Sequence, residues 1–113
     1  MVDIRIIMVV LFCAVLGAVG QIELKRGSDS LALNLGSLLS NYHLIVGILI
    51  YGVATVLYLL ALSRGPVSVI YPVIATSYIW TCLFASYFLG ENINFWNWLG
   101  VLLIIAGVYL VVK

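Results

Sequence analysis

Four apolar stretches, each about 20 residues long, decide what this chain can fold into. Short polar or charged segments separate them, and they cover residues 4–24, 42–62, 67–89 and 95–112. A helix needs roughly 20 mostly apolar residues to cross a bilayer, and here 65% of the residues are hydrophobic while 8% are charged. The sequence therefore predicts an all-α membrane protein in which residues 1–113 form one domain of four transmembrane helices.

The segments outside these stretches leave no room for a soluble catalytic domain. The sequence contains no phosphate-binding loop, zinc-binding helix or nucleophile-elbow motif, so neither ATP hydrolysis nor protein-borne catalysis is expected. Cys13 and Cys82 lie in apolar stretches without metal-ligand spacing, and the net charge is +1 with no basic run. We expect no enzyme activity, cofactor, metal site or nucleic-acid partner.

The first stretch allows two interpretations. Arg5 precedes an apolar run, and small residues follow at Gly17, Ala18 and Gly20, as in a cleaved signal peptide. We favour a membrane span, since removing it would leave an odd number of spans. Residues 28–41 are too polar to span. Their helical leucine spacing predicts either a short interfacial helix or, as we favour, an amphipathic lead-in to the second span.

The connections constrain how the spans are arranged. Residues 63–66 form so short a link that spans two and three must be antiparallel neighbours. In the third span, Pro72 removes one backbone hydrogen bond, which predicts a kink near Tyr71-Pro72. An even number of spans places both termini on the same side of the membrane.

The basic residues are almost evenly divided between the two sides. They are Arg5, Arg64 and Lys113 on the side of the termini, and Lys25 and Arg26 on the other. This division favours cytoplasmic termini only weakly. A near balance is also what a chain inserted in both orientations needs.

One face of the first span carries small residues and then polar ones. Ala14, Gly17, Ala18, Gln21 and Lys25 recur there at helical spacing. Small residues let membrane helices pack closely, and this is the interpretation we favour for the two alanines and the glycine. The alternative is that they leave room for a ligand, with Gln21 and Lys25 at its rim.

Tyrosines form a stripe on the second span and another on the third. Tyr51, Thr55 and Tyr78 lie near the middle of their spans, deeper than an interfacial aromatic belt, while Tyr58 and Tyr71 lie nearer the ends. Buried phenols need hydrogen-bond partners. Either a cavity shared by spans one to three or direct helix-to-helix hydrogen bonds can supply them.

Charged groups within a span are costly and are functional candidates by default. Glu23 is an acidic residue near a span end, and its helical angle points away from Gln21 and Lys25. Arg26 follows three residues later, at ion-pairing distance on a helix. Glu23 is therefore either a structural partner or a substrate-binding residue, while His43, at the start of a span, is expected at the interface.

Several short motifs together resemble a known family. They are Gly20-Gln21 followed by Lys25, Gly65-Pro66-Val67 followed by Tyr71-Pro72, Gly90-Glu91, Trp98-Leu99-Gly100 and Ala106-Gly107-Val108. In order and spacing they resemble the small, EamA-like four-span members of the drug/metabolite transporter superfamily over nearly the whole chain. Within that superfamily the chain is most similar to the two small subunits of the aminoarabinose-phosphoundecaprenol flippase.

This resemblance implies a transporter of the inner (cytoplasmic) membrane that flips a polyprenyl-phosphate-linked sugar between leaflets. Its partners would be membrane lipid and the lipid-linked sugar phosphate. A phosphate favours Lys25 or Arg26 as donors, whereas sugar hydroxyls suit Gln21 and the tyrosines. The substrate-binding residues predicted in this way are Gln21, Glu23, Lys25, Tyr51, Tyr58, Tyr71 and Tyr78.

The chain resembles the small multidrug resistance exporters more distantly. Their membrane-embedded glutamate corresponds to Gly17 here, and a tryptophan of theirs corresponds to Ile74. Export of small cationic metabolites or drugs is therefore an alternative function that would depend on Glu23 as its acidic group. A further alternative is an accessory membrane subunit without transport activity of its own.

The fourth span predicts a dimer. Gly100 and Gly107 recur at a seven-residue spacing with Ala106 beside them, and small residues allow helix backbones to approach closely. The dimer motif of the resembling family is similar. We expect an antiparallel homodimer, or a heterodimer with an oppositely oriented paralogue, because inverted repeats build alternating access in many transporters.

Overall fold

The fold is a bundle of helices, described for residues 3–113 by a computed structural model. The helices are α1 (Ile4–Ser28), α2 (Leu35–Ser40), α3 (Tyr42–Leu62), α4 (Val67–Ile74), α5 (Ser77–Phe88) and α6 (Phe95–Val112). Four segments are long and apolar enough to cross a membrane, namely α1, α3, α4 together with α5, and α6. The predicted all-α class with four spans is confirmed, and the chain is a multi-pass membrane protein.

α1 continues about one turn beyond its apolar stretch, to Ser28. A helix does not have to end where its residues become charged, because its last turn can lie at the membrane–water interface. Two ion pairs along the helix stabilise this turn, Arg26 with Glu23 at 3.3 Å and Lys25 with Asp29 at 2.9 Å.

The polar segment after α1 contains a short helix of its own. Asn34 Oδ1 caps α2 by accepting a hydrogen bond from Ser37 N at 2.8 Å. Asn41 ends α2 and caps α3, because its Oδ1 accepts a hydrogen bond from Leu44 N at 3.2 Å. A single capping residue, Asn41, therefore separates α2 from the second span.

The third span is interrupted at Ala75–Thr76, where α4 ends and α5 has not begun. Ala75 N donates to Pro72 O at 3.0 Å and Thr76 N donates to Val73 O at 3.1 Å, which are the tighter i to i+3 bonds of a 3₁₀ turn. A kink was predicted at Tyr71-Pro72, and the interruption lies three residues further on. The proline lacks an N–H toward the preceding turn, whereas the tightened bonds belong to the turn that follows it.

The most extensive helix–helix contact joins α1 to the antiparallel α3. It runs over three buried glycines, Gly20 and Gly27 of α1 and Gly47 of α3, which we call the glycine seam. A Cβ on Gly27 would lie 2.6 Å from Leu44 N, and one on Gly47 would lie 2.9 Å from Leu24 N. Both distances are shorter than any real contact of this kind, so the helices can approach this closely only over glycine.

α6 is attached to the rest of the bundle mainly through α4. Its Val108 packs against the core cluster of Val10, Ala61, Ile70 and Val73. Most other apolar residues of α6 are exposed, including Leu102, Leu103, Tyr109 and Leu110. The core of the chain therefore lies in the first three spans.

Candidate substrate-binding site

A cleft of about 190 Å³ lies between α1, α3 and the two halves of the third span. The residues that line it are Cys13, Gly17, Gln21, Tyr51, Ala54, Thr55, Tyr58, Tyr71, Ile74 and Ser77. Pockets for drug-sized ligands have volumes of roughly 300–1,000 Å³. The cleft is therefore large enough for only one part of a large amphipathic substrate.

The cleft lies near the middle of the spans that border it. Gly17, Tyr51 and Ser77 all line it, and each is close to the centre of its own span. Along α1 the lining extends from Cys13 to Gln21, or roughly 12 Å at 1.5 Å per residue. A site at this depth is where many transporters hold their substrate during alternating access.

Four of the side chains predicted to bind substrate face the cleft, namely Gln21, Tyr51, Tyr58 and Tyr71. Within residues 3–113, none of their side-chain polar groups makes a hydrogen bond to the protein. The Thr55 hydroxyl, by contrast, donates to the Tyr51 carbonyl at 2.8 Å. Within residues 3–113 these phenols therefore make no helix-to-helix hydrogen bond, and their donors and acceptors are available to a ligand.

The lining of the cleft is polar but uncharged. No Asp, Glu, Lys, Arg or His is among the described residues that line it, and residues 3–113 contain no group of three or more His, Cys, Asp or Glu residues that could hold a metal ion. An ionic group placed here would lose its hydration without gaining a counter-charge. The cleft therefore suits a neutral group with several hydrogen-bond donors and acceptors, such as hydroxyls.

Tyr78 lies outside the cleft on the exposed side of α5, although it was predicted to share a face with Tyr71. In a continuous α-helix two residues seven positions apart lie on nearly the same face. The 3₁₀ turn at Ala75–Thr76 advances about 120° per residue instead of about 100°. The turn lies between Tyr71 in α4 and Tyr78 in α5, so a spacing that assumes one regular helix does not apply, and Ser77 rather than Tyr78 lines the cleft.

Lys25 also lies outside the cleft, one helical turn beyond Gln21 at the end of α1. Its Nζ is 2.9 Å from Asp29 Oδ1, and the two side chains are 52% and 62% exposed. Lys25 therefore lies just beyond the part of α1 that lines the cleft. Its ion pair with Asp29 is exposed to solvent.

Glu23 connects α1 to α3. Its Oε2 is 2.7 Å from Nδ1 of His43, its Oε1 accepts a hydrogen bond from Arg26 Nη1 at 3.3 Å, and the carboxylate is only 17% exposed. Beside it, Asn41 Nδ2 donates to the Gly27 carbonyl at 2.9 Å. This geometry favours the structural interpretation of Glu23. The Arg26 pair follows from the sequence spacing, but the His43 pair does not, because 20 residues separate the partners.

The small residues of α1 divide into two groups. Ala14 and Ala18 are completely buried, as expected of packing residues, whereas Gly17 lines the cleft and a Cβ there would meet no atom within 4 Å. Cys13, which lies in an apolar stretch of the sequence, is buried and also borders the cleft. Its spacing of four residues from Gly17 and eight from Gln21 is the signal that could have identified it.

The residues predicted to form the dimer contact lie on α6. Ala106 and Gly107 are exposed and Gly100 is half-buried. A Cβ on either glycine would meet no atom of the described chain within 4 Å. The face therefore leaves room for close approach of another helix, and the dimer stays a prediction.

Comparisons with known proteins agree with a transporter. The model of the EamA-like transporter family matches residues 1–113. A protein of Escherichia fergusonii named "Probable 4-amino-4-deoxy-L-arabinose-phosphoundecaprenol flippase subunit ArnE" is 31% identical over 101 residues, which cover 89% of this chain and 91% of that protein. The protein of the same name from Pectobacterium atrosepticum is 34% identical over 67 residues, or 59% of each chain.

A third relative, the uncharacterized protein y4nH of Sinorhizobium fredii, is 34% identical over 93 residues, or 80% of each chain. No solved structure matches the chain. The family match extends over the whole sequence, and the first relative is aligned over most of both proteins. The chain therefore belongs to the EamA-like transporter family.

Proposed function

We propose that this chain is a transporter subunit that moves a polyprenyl-phosphate-linked sugar between the leaflets of the inner (cytoplasmic) membrane. The observation that carries the proposal is the set of four cleft-lining side chains, Gln21, Tyr51, Tyr58 and Tyr71, whose hydrogen-bonding groups have no partner within residues 3–113. Uncharged donors and acceptors match sugar hydroxyls. The printed names of the two flippase-subunit relatives support the same substrate class.

The size and depth of the cleft suggest which part of the substrate it binds. A sugar crosses a bilayer slowly because its hydroxyls must give up their hydrogen bonds to water. The amide of Gln21 and the phenols of the cleft replace these bonds halfway across the membrane. The polyprenyl chain is apolar and remains in the lipid beside the bundle, so the cleft needs room only for the sugar.

We assign the phosphate to Lys25. It lies one turn outward from Gln21 on the same helix, so a phosphate there leaves the attached sugar directed toward the cleft. Its present partner, Asp29, is exposed, and exposed ion pairs of this kind are weak. A phosphate offers more acceptor oxygens than a carboxylate and can replace Asp29 at little cost.

The assembled transporter is proposed to contain a second subunit that contacts α6 through Gly100, Ala106 and Gly107. That subunit is either a second copy or a paralogue, as the word "subunit" in the relatives' names suggests. The chain has no ATP-binding motif, so transport is driven by the substrate gradient or by an ion gradient.

The proposal is tested in liposomes that contain the purified protein together with any EamA-like subunit that copurifies with it. The substrate is a polyprenyl-phosphate sugar with a fluorophore on the sugar, and a membrane-impermeant quencher measures how much has reached each leaflet. We expect the protein to accelerate exchange between leaflets, and Tyr58→Phe to slow it more than the matched variant Tyr78→Phe. Transport of a fluorescent quaternary amine alone would indicate the cation exporter, and transport of neither probe would indicate an accessory subunit.

A further inference from the structure

A second cavity, of about 440 Å³, lies at the opposite end of the α1–α3 pair from Lys25. It is lined by Asp3, Arg5, Ile6, Val9, Leu57, Leu60, Ala61 and Arg64, which we call the arginine groove. All of these residues belong to α1 or α3 or directly flank them. The third span, which closes the substrate cleft, contributes none of the described lining residues, so the groove is a separate site open to the surrounding lipid.

The charges at the two ends of the α1–α3 pair are arranged differently. At one end Lys25 and Arg26 are each paired with an acid, Asp29 and Glu23 respectively. At the other end neither arginine of the groove has an acidic partner within 4.0 Å in residues 3–113. Two unpaired guanidinium groups therefore border the same cavity.

Asp3 also borders the groove, but it is engaged locally. Its Oδ1 accepts a hydrogen bond from the backbone N of Arg5 at 2.9 Å and so caps α1. With Arg5 and Arg64 it gives the groove a net charge of +1. A ligand with a single negative charge would balance this site.

The walls of the groove are apolar. Ile6 and Val9 of α1 face Leu57 and Leu60 of α3 below the two arginines. A guanidinium binds a phosphate through two parallel hydrogen bonds, and hydrocarbon surface is best covered by a hydrocarbon chain. A ligand that fits both the arginines and the apolar walls carries a phosphate group and an acyl chain.

We propose that the arginine groove is a binding site for an anionic phospholipid of the phosphatidylglycerol type. Its phosphate contacts Arg5 and Arg64, and one of its acyl chains lies along the apolar walls. This lipid binds independently of the transported substrate, because the groove shares no lining residue with the cleft.

The test is native mass spectrometry of the purified protein titrated with phosphatidylglycerol or with phosphatidylcholine. We expect phosphatidylglycerol to bind more tightly and the double variant R5Q/R64Q to reduce its affinity about tenfold, since charged hydrogen bonds to phosphate are lost. The matched control R26Q/K113Q removes the same number of positive charges outside the groove and should leave the affinity unchanged. R5K/R64K keeps the charge without the two-pronged geometry and should fall between wild type and R5Q/R64Q.

Three results would overturn the proposal. One is equal phosphatidylglycerol binding by wild type and R5Q/R64Q, and another is an equal loss in R26Q/K113Q, which would indicate a general charge effect. The third is an affinity for inorganic phosphate equal to that for phosphatidylglycerol, because the acyl chain would then contribute nothing. If R5Q/R64Q fails to fold, the single variant R64Q, whose residue lies in the loop after α3, provides the same comparison.

Discussion

Two pairs of glycines in this chain have the same seven-residue spacing but opposite surroundings. Gly20 and Gly27 lie in the glycine seam, where α1 meets α3 so closely that an added Cβ on Gly27 would be 2.6 Å from a backbone nitrogen. Gly100 and Gly107 lie on α6, and an added Cβ on either would meet nothing within 4 Å. The same sequence pattern lies in a close contact with α3 in one helix and on an open face in the other.

The buried fractions of α1 and α6 differ in the same way. In the membrane-spanning window of α1, 33% of the residues are buried, compared with 6% in that of α6. The first three spans contact one another and border the cleft, whereas most of the fourth is exposed and is proposed to contact a second subunit. Substrate binding and subunit contact should therefore respond to different substitutions.

The largest effect is expected from Gly27→Ala. Its methyl group would overlap the backbone of Leu44, which cannot move without displacing α3, and overpacking of this kind costs roughly 1–3 kcal/mol or more. We expect little folded protein after purification, and early unfolding of what remains in thermal denaturation. Gly107→Ala is the matched control and should purify like the wild type. Normal stability of Gly27→Ala would contradict the glycine seam.

The next effect is expected from Gly17→Leu. The larger side chain finds open space in the cleft, so the protein should fold, but the sugar loses its place and transport should fall about a hundredfold. Gly52→Leu is the control, because Gly52 also has nothing within 4 Å of an added Cβ and does not line the cleft. If both variants lost transport equally in the leaflet-exchange assay, the sugar would not pass through the cleft.

Gly107→Leu should weaken the dimer while the monomer stays folded. Close backbone approach at Gly100 and Gly107 is lost, and the dimer dissociation constant should rise about tenfold or more. Chemical crosslinking in lipid measures it, with Gly52→Leu again as the control. If the dimer persisted unchanged in Gly107→Leu, the subunit contact would have to lie on another face.

The smallest effect is expected from Lys25→Gln. Because Lys25 must exchange its exposed partner Asp29 for the phosphate, the net loss in affinity for the lipid-linked sugar should be about tenfold. Arg26→Gln should do less, since Arg26 is turned toward Glu23. Transport at limiting substrate measures both variants. Identical transport by Lys25→Gln and wild type would reduce the lysine to an anchor that sets the depth of α1.

Much of the fold could be predicted from local pattern. Apolar length predicts the four spans, and helical spacing places Gly17 and Gln21 on one face of α1 and Tyr51 and Tyr58 on one face of α3. These features depend only on residues within one helix. Periodicity describes a helix face well when the helix is regular.

The remaining features depend on geometry that no local pattern contains. The 3₁₀ turn in the third span separates Tyr71 from Tyr78, and it follows Pro72 at a distance that the proline itself does not specify. The pair between Glu23 and His43 depends on how α1 and α3 cross. The same is true of the glycine seam, because spacing identifies a face but not its partner.

The central claim is that the sugar of the substrate enters the cleft between the first three spans. The most direct measurement uses a polyprenyl-phosphate sugar with a photoactivatable group on the sugar, crosslinked to the protein in liposomes and mapped by mass spectrometry. We expect adducts in residues 13–21 of α1 and in residues 51–58 of α3, both reduced in Gly17→Leu and retained in Gly52→Leu. Adducts confined to α6, or an α1 and α3 signal unaffected by Gly17→Leu, would contradict it.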